Sequence, residues 1–286
     1  MDFLTWGRSP WGEWVLTHVS WDLLWASIFA GVVFLVAHAS YMVLSAHRKR
    51  EAHEADALER SLPGLPERIP KHSLAARLFH WIMAVAMFVL LLTAFLPIVG
   101  IRFPWVQWHW MAGLLLTASI LFHIVHATFW LDFWSIWVGP KDIPEFKAEV
   151  LREFGHDVPG PKPGKYPLGN RLYHTVIVVA GLLVVATGLV MMKRVHTPFF
   201  TRNPYLFGDA TWGVTYVLHG TAGVALVGLV IAHVYFAVRP EKWWITKGMI
   251  FGWITKRQYL QYHEPSRWAV SRAGTGTAPV KPSERV

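Results

Sequence analysis

The sequence contains no cysteine. The chain therefore cannot hold a disulfide, a thiolate-bound iron–sulfur cluster or zinc ion, or a covalently attached c-type haem. Charged residues are also scarce, at 16% of the 286 residues, whereas soluble proteins carry about a quarter. Hydrophobic residues reach 53%, and they include 17 Trp and 17 Phe. These figures exclude an ordinary water-soluble enzyme and indicate an integral membrane protein.

Five apolar stretches are long enough to cross a bilayer, which takes roughly 20 helical residues. The stretches are continuous rather than alternating, so we predict helices. The sequence thus predicts an all-α integral membrane protein with five transmembrane helices. The predicted spans are 21–45, 78–96, 108–130, 172–192 and 216–238.

The distribution of Lys and Arg predicts the orientation of these spans. If the N-terminus lies outside, the outer segments hold only five of the 27 Lys and Arg residues. Because basic residues concentrate on the cytoplasmic side, this predicts an outer N-terminus and a cytoplasmic C-terminus. The net charge of +9 then belongs to the cytoplasmic face, and no basic stripe on a soluble domain indicates nucleic-acid binding. The outer five are Arg8, Arg102, Lys193, Arg194 and Arg202.

Composition divides the chain into four predicted segments. Residues 1–46 comprise a Trp-rich segment at the outer interface and the first helix, and 47–76 form a charged cytoplasmic linker. Residues 77–240 form the four-helix bundle. Residues 241–286 comprise a cytoplasmic amphipathic segment, with an interfacial helix at 243–254, and a disordered tail.

An internal repeat relates the second span to the fourth and the third to the fifth. Arg-Leu-Phe-His at 77–80 matches Arg-Leu-Tyr-His at 171–174, and a threonine follows thirteen residues after each histidine. The third span carries His-x-x-Ala-Gly from residue 109 and another histidine fourteen residues on, and the fifth repeats this from 219. We interpret the bundle as a duplicated helical hairpin, preceded by one extra helix.

The fourteen-residue spacing of these histidines suits two stacked cofactors. It is close to four helical turns, so both histidines share one face and lie about 21 Å apart along the axis. A neutral imidazole is a good axial ligand for haem iron, and the glycine one turn after His109 or His219 leaves room for a flat macrocycle. By depth, these two histidines form the outer pair. At the inner depth several candidates remain, namely His80, His123, His126, His174 and His233.

Several motifs resemble the bacterial di-haem cytochrome b membrane subunits, and most of all the gamma subunits of membrane-bound formate dehydrogenases. The extra N-terminal helix is similar to that of thiosulfate reductase-type cytochrome b subunits. The motifs are RLFHW at 77–81, HWMAG at 109–113, GPKDIP at 139–144, GKYPLGNR at 164–171 and HGTAG at 219–223.

The resemblance implies two haem b groups held by four histidines. His80 and His233 would ligate the inner haem iron, and His109 and His219 the outer haem iron. It also implies that a quinone binds beside the inner haem, near the loop that enters the fourth span.

This loop departs from the gamma-subunit pattern, because Pro167 stands where that pattern has Asn. Gly169 and Asn170 are therefore the predicted quinone contacts. His123 and His174 are further departures that the repeat makes equivalent to the inner ligands. Three interpretations remain open for them: they line the quinone site and pass protons, they pack, or they bind a third haem.

The resemblance implies the electron-transfer subunit of a respiratory oxidoreductase in the bacterial inner membrane. Electrons would pass from a partner iron–sulfur subunit outside to the quinone pool near the cytoplasm. A third subunit, containing molybdenum or tungsten, would oxidise the substrate. Alternatives are a quinol-oxidising subunit of a thiosulfate-type reductase or a hydrogenase, a stand-alone di-haem quinone oxidoreductase, and a haem-free transporter.

Overall fold

The computed structural model of the protein describes residues 3–44, 64–154, 156, 158 and 162–270. Most of the predicted linker and of the predicted disordered tail lies outside these residues. Within them, five helices are long and apolar enough to cross a membrane, which confirms the predicted fold class. The described residues also form three shorter α-helices, four 3-10 helices and two two-stranded sheets. The 3-10 helices are Leu96–Val99, Phe133–Ile136, Pro140–Asp142 and Met192–Arg194. The helices are α1 (Trp21–Leu44), α2 (Leu74–Phe95), α3 (Trp105–Trp130), α4 (Ile143–Glu153), α5 (Leu168–Met191), α6 (Asp209–Val238), α7 (Trp243–Phe251) and α8 (Lys256–Tyr262).

Four of the five spans begin earlier than their apolar stretches predict. The largest difference is at α6, which begins at Asp209 rather than at residue 216. The apolar stretch reports only the hydrocarbon core, whereas helical hydrogen bonding continues through the polar interface. Large apolar side chains on the spans are exposed, for example Phe29 at 71% and Phe129 at 74%, as expected for helices that contact lipid.

The chain forms two compact units, and the first consists of Met1–Leu35, Leu78–Trp130 and Val176–Val234. In this unit α1 packs against α6 through small residues. A Cβ atom on Gly228 would lie 3.4 Å from Ser27 Oγ, and one on Gly31 would lie 3.8 Å from Ile231. Small residues allow membrane helices to approach closely, so the unrepeated first helix belongs to this bundle.

The N-terminal segment is a β-hairpin, which the sequence analysis did not predict. Strands β1 (Leu4–Arg8) and β2 (Trp14–Val19) pair in antiparallel fashion, with a register shift after Thr5. Gly12 in the connecting turn has φ +86°, a conformation that favours glycine. The hairpin rests on α6, where a Cβ atom on Gly213 would lie 2.0 Å from the Leu16 carbonyl oxygen.

The second unit consists of Val36–Arg77, Leu131–Thr175 and Tyr235–Val286. Strand β3 (Arg68–Pro70) pairs with β4 (Trp253–Thr255). The predicted interfacial helix therefore ends early, since Gly252 adopts φ +86° and stops α7. A small core beneath the strands contains Ile69, Ile254, Tyr259 and Leu260.

Candidate haem-binding site

The predicted outer pair of histidines is brought together in the first unit. His109 on α3 and His219 on α6 have ring centres 6.2 Å apart, at an interplanar angle of 69°. A metal–imidazole bond is about 2 Å long, so two imidazoles on opposite sides of one metal have ring centres roughly 6 Å apart. The spacing of this pair therefore fits two axial ligands of one iron ion.

A threonine holds each of these two histidines. Thr93 Oγ1 lies 2.8 Å from His109 Nδ1, and Thr187 Oγ1 lies 2.9 Å from His219 Nδ1. Both threonines are buried, at 4% and 8% exposure. The two contacts are equivalent in the repeat, which gives a role to the threonines that follow thirteen residues after His80 and His174.

The hydroxyl bonding determines which ring nitrogen is protonated. Thr93 donates its hydroxyl hydrogen to its own helix, at the Val89 carbonyl (2.7 Å), and Thr187 does the same at Leu183 (2.6 Å). Each hydroxyl oxygen must then accept the Nδ1–H of its histidine. Nε2 consequently carries the lone pair, and this nitrogen is free to ligate a metal.

Glycines flank this pair. A Cβ atom on Gly188 would lie 3.2 Å from His219 Cε1, so a larger residue would displace the imidazole. A Cβ atom on Gly223, one turn after His219, would meet no atom within 4 Å. The ring is therefore held closely on one side, with space for a flat group next to its helix.

The first unit also brings together two of the inner histidines. His80 on α2 and His233 on α6 have ring centres 6.2 Å apart at 56°, the same separation as in the outer pair. Trp81 packs edge-on against His80 at 5.2 Å. These two histidines are the ones that the family resemblance selects from the five candidates.

The remaining candidate histidines contact aromatic side chains. His123 stacks on Phe79, with ring centres 4.2 Å apart and an interplanar angle of 7°. In the second unit, His174 packs edge-on against Trp137 at 5.3 Å. His126 stacks on Phe122 at 5.5 Å.

The donor set suits haem rather than a metal ion held by the protein alone. Throughout the described residues, no three His, Cys, Asp or Glu side chains converge as a metal site. Each histidine pair offers two nitrogen ligands, whereas a structural zinc site needs four. A porphyrin supplies its own four equatorial nitrogens and takes its axial ligands from the protein, so the pairs fit haem iron.

An ion pair in the second unit joins two of the motifs in the inner loops. The Arg171 guanidinium binds both carboxylate oxygens of Asp142, at 2.6 and 3.0 Å, and also donates to the Trp137 carbonyl. The Gly139 N–H donates to Asp142 at 2.7 Å. Burial alone would raise the pKa of Asp142, but the hydrogen bonds from Arg171 and Gly139 outweigh burial and lower it. This pair fixes the start of α5.

The predicted quinone contacts lie at this start of α5. The Gly169 N–H donates to Glu149 of α4 at 3.2 Å, so it is already satisfied within the protein. The Asn170 side chain is exposed. The Pro167 carbonyl accepts the N–H of Asn170 at 3.0 Å and that of Arg171 at 3.2 Å, which starts the helix. Asn170 is thus the better contact of the two.

The second unit also buries the side chain of a lysine, Lys71. Lys71 is 3% exposed, and its Nζ lies 3.4 Å from His263 Nε2 and 4.8 Å from the centre of the Trp244 ring. His263 donates its Nδ1–H to the Gly164 carbonyl at 2.6 Å, so Nε2 accepts from the ammonium group. Burial, and then the charge of Lys165, lowers the pKa of Lys71 to about 7.

Five apolar helices, two histidine pairs at one common spacing and repeated threonine supports define a helical membrane cytochrome b. Comparison with known families agrees with this class. The prokaryotic cytochrome b561 family matches residues 71–252, and the chain belongs to this family. The family has an all-helical membrane fold and implies that haem b is bound.

Two curated relatives are formate dehydrogenase subunits. The formate dehydrogenase cytochrome b556 subunit of Haemophilus influenzae is 25% identical over 217 residues, which cover 70% of this chain and 82% of the relative. The formate dehydrogenase cytochrome b556(fdo) subunit of Escherichia coli K12 is 24% identical over 217 residues, which cover 71% of this chain and 92% of the relative.

Proposed function

We propose that this chain is the membrane-anchoring di-haem cytochrome b subunit of a formate dehydrogenase-like respiratory complex. It passes electrons between a partner iron–sulfur subunit outside and the quinone pool near the cytoplasmic side. The observation that carries this proposal is the pair of histidine contacts, each with ring centres 6.2 Å apart. The similarity to formate dehydrogenase cytochrome subunits supports the choice of complex.

In this proposal His109 and His219 ligate the outer haem iron, and His80 and His233 ligate the inner haem iron. When bound, each haem supplies reversible one-electron chemistry. The chain supplies the rest: the Nε2 lone pairs, the apolar surroundings, and a fixed position for each ligand. Thr93 is a positioning residue in this scheme, because it orients His109 without reaching the iron.

The orientation in this proposal places the N-terminus outside the bacterial inner membrane and the C-terminus in the cytoplasm, following the distribution of Lys and Arg. Iron–sulfur clusters held by thiolates require cysteine, and this chain has none. The clusters that deliver electrons therefore belong to a partner. A second partner, containing molybdenum or tungsten, oxidises the substrate.

We propose that the quinone binds at the start of α5. Asn170 and His174 are four residues apart on that helix and so share a face. The amide of Asn170 is suited to hydrogen-bond a quinone oxygen, and the imidazole of His174 is suited to pass it a proton. Gly169 is the remaining proposed contact at this helix start. Protons would come from the cytoplasm.

The experiment that tests this function measures haem on the purified chain. A reduced-minus-oxidised spectrum with pyridine haemochrome quantitation should give two b haems per chain. His109→Ala should lower this number and His80→Ala should lower it as well, because each removes an axial ligand. His18→Ala, an exposed histidine of the hairpin, is the matched control and should leave it unchanged.

Other results would change the proposal in defined ways. Three haems per chain, with one lost in His123→Ala or His174→Ala, would make those residues ligands. Two haems in a chain that purifies with no large subunit would favour the stand-alone oxidoreductase. A folded, membrane-derived chain without an alpha band would refute the cytochrome function.

A further inference from the structure

A cleft opens at the end of the first unit that carries the start of α3. It has a volume of about 800 Å³ and lies between the 103–110 segment and the 194–202 segment. The cleft has no part in the proposed function, although it is a large cavity on the predicted outer side of the described chain. Its polar lining residues are Gln107, Arg194, His196, Thr197 and Arg202.

The two charged side chains among the lining residues, Arg194 and Arg202, are both basic, and each makes a contact within the chain. The Arg194 guanidinium lies over the rings of Trp212 at 5.1 Å and Tyr216 at 5.6 Å. Arg202 is exposed and donates its Nε–H to the Arg194 carbonyl at 2.9 Å. No Asp or Glu lines the cleft. The cleft therefore carries two arginines and no acid among its lining residues, and Arg binds carboxylates in a bidentate manner.

The position of these charges runs against the general distribution of basic residues. In the proposed orientation only five Lys and Arg residues lie outside. Four of them, Arg102, Lys193, Arg194 and Arg202, belong to or adjoin the two segments that form the cleft. Membrane proteins concentrate basic residues on the cytoplasmic side, so this outer cluster calls for a specific anionic partner.

The cleft also adjoins the proposed outer ligands. Trp110, one of its lining residues, follows His109 directly in α3. The Trp110 ring packs edge-on against Phe199, with ring centres 6.0 Å apart. A group bound in the cleft would consequently lie beside the helix turn that carries an outer iron ligand.

We propose that this cleft receives an acidic segment of the partner iron–sulfur subunit and is the point where electrons enter the chain. Carboxylates of that segment bind Arg194 and Arg202. The proposal rests on the proposed function and deepens it, because it names the docking site and the chemistry of the segment. Charge complementarity of this kind accelerates association and makes it sensitive to salt.

The test reverses one charge in the assembled complex. Arg202→Glu should lower association with the iron–sulfur subunit about tenfold at low salt and weaken its salt dependence. Arg8→Glu is the matched control, since it makes the same change on an exposed hairpin residue that does not line the cleft. The measurement is the amount of iron–sulfur subunit that co-purifies with the tagged chain as salt is varied.

The outcomes separate this proposal from the proposed function. Equal co-purification by Arg202→Glu and Arg8→Glu would overturn the docking site, even if both variants keep two haems that dithionite reduces. An unaltered chain without haem would refute the function itself. The variants are also reconstituted in phosphatidylcholine vesicles with and without phosphatidylglycerol. If Arg202→Glu loses bound phosphatidylglycerol but keeps its partner, the cleft is a lipid site and the proposal is wrong.

Discussion

Replacing Thr93 or Thr187 with valine would test how the outer histidines are held. Valine has a similar shape but lacks the hydroxyl that lies 2.8 Å from His109 Nδ1 or 2.9 Å from His219 Nδ1. Loss of the hydrogen-bond partner of a metal-bound histidine typically lowers metal affinity about 10–100-fold, or roughly 1.4–2.8 kcal/mol. We expect a loss of haem affinity in this range for either variant.

The assay follows transfer of haem from each variant to an excess of a haem-scavenging protein. One of the two haems should leave faster, and the other should leave at the rate seen in the unaltered chain. A redox titration gives a second measure. Without its acceptor the imidazole is a poorer electron donor, so the midpoint potential of one haem should rise.

Thr128→Val is the matched control for this experiment. Thr128 lies on α3, the helix that carries His109, and its hydroxyl donates to its own helix at the Ile124 carbonyl (2.7 Å). Thr128→Val thus removes the same kind of hydrogen bond from a threonine hydroxyl to the backbone, but from an exposed position. If Thr93→Val retained haem as tightly as Thr128→Val, with both midpoint potentials unchanged, the role assigned to the threonines would be refuted.

Three further substitutions test the packing and charges of the chain by thermal unfolding in detergent. Arg171→Met should lower the free energy of unfolding by about 3–5 kcal/mol near pH 7, because it leaves the Asp142 carboxylate buried without its partner. In the unaltered chain the pKa of Asp142 is lowered, so the stabilisation from this carboxylate is present above about pH 4 and is lost as the pH falls through its folded pKa. Lys71→Met should stabilise the chain at pH 7 and remove a rise in stability that the unaltered chain shows between about pH 7 and 10. The rise is expected because burial lowers the pKa of Lys71 to about 7, so only the unfolded chain binds the extra proton in that range. Gly213→Ala should cost about 1–3 kcal/mol, because its Cβ atom would meet the Leu16 carbonyl oxygen at 2.0 Å.

Each of these substitutions has a control of the same chemistry. Arg8→Met and Lys247→Met remove a charge from exposed positions, and Gly181→Ala adds a Cβ atom that would meet nothing within 4 Å among the described residues. The free energies of unfolding of these variants should lie within about 0.5 kcal/mol of that of the unaltered chain, as is usual for surface changes. Equal effects of a substitution and its control would show that the buried contact does not contribute as described.

The spans were predictable because lipid imposes a single strong requirement on sequence, a long continuous apolar stretch. Their ends were not, because the helix that begins at Asp209 continues through polar residues that such a stretch excludes. The hairpin at Leu4–Arg8 and Trp14–Val19 was missed although a signal existed. Val15, Thr17 and Val19 are β-branched residues at alternate positions after a turn, a pattern typical of a strand.

The outer histidine pair was predictable from the residues alone, whereas the partners in the inner pair were not. Depth in the membrane, taken from the positions of His109 and His219 at the starts of the third and fifth spans, predicted this pair, and the structure brings their rings together. It left the inner partners open, because depth does not say which helices face each other. The role of Thr93 could not be predicted either, because spacing within one helix does not indicate a contact with another helix.

The two ends of the repeat differ, and the difference has a functional meaning. At the predicted outer end both copies keep the same threonine–histidine contact. At the predicted inner end the copies diverge: His233 faces His80, whereas its equivalent His123 stacks on Phe79 at 4.2 Å. In the proposed function the repeat therefore holds one iron ion between His80 and His233, while the equivalent His123 makes a different contact. Departure from an internal rule is expected at functional positions, so we propose that the quinone reacts at this asymmetric end of the repeat.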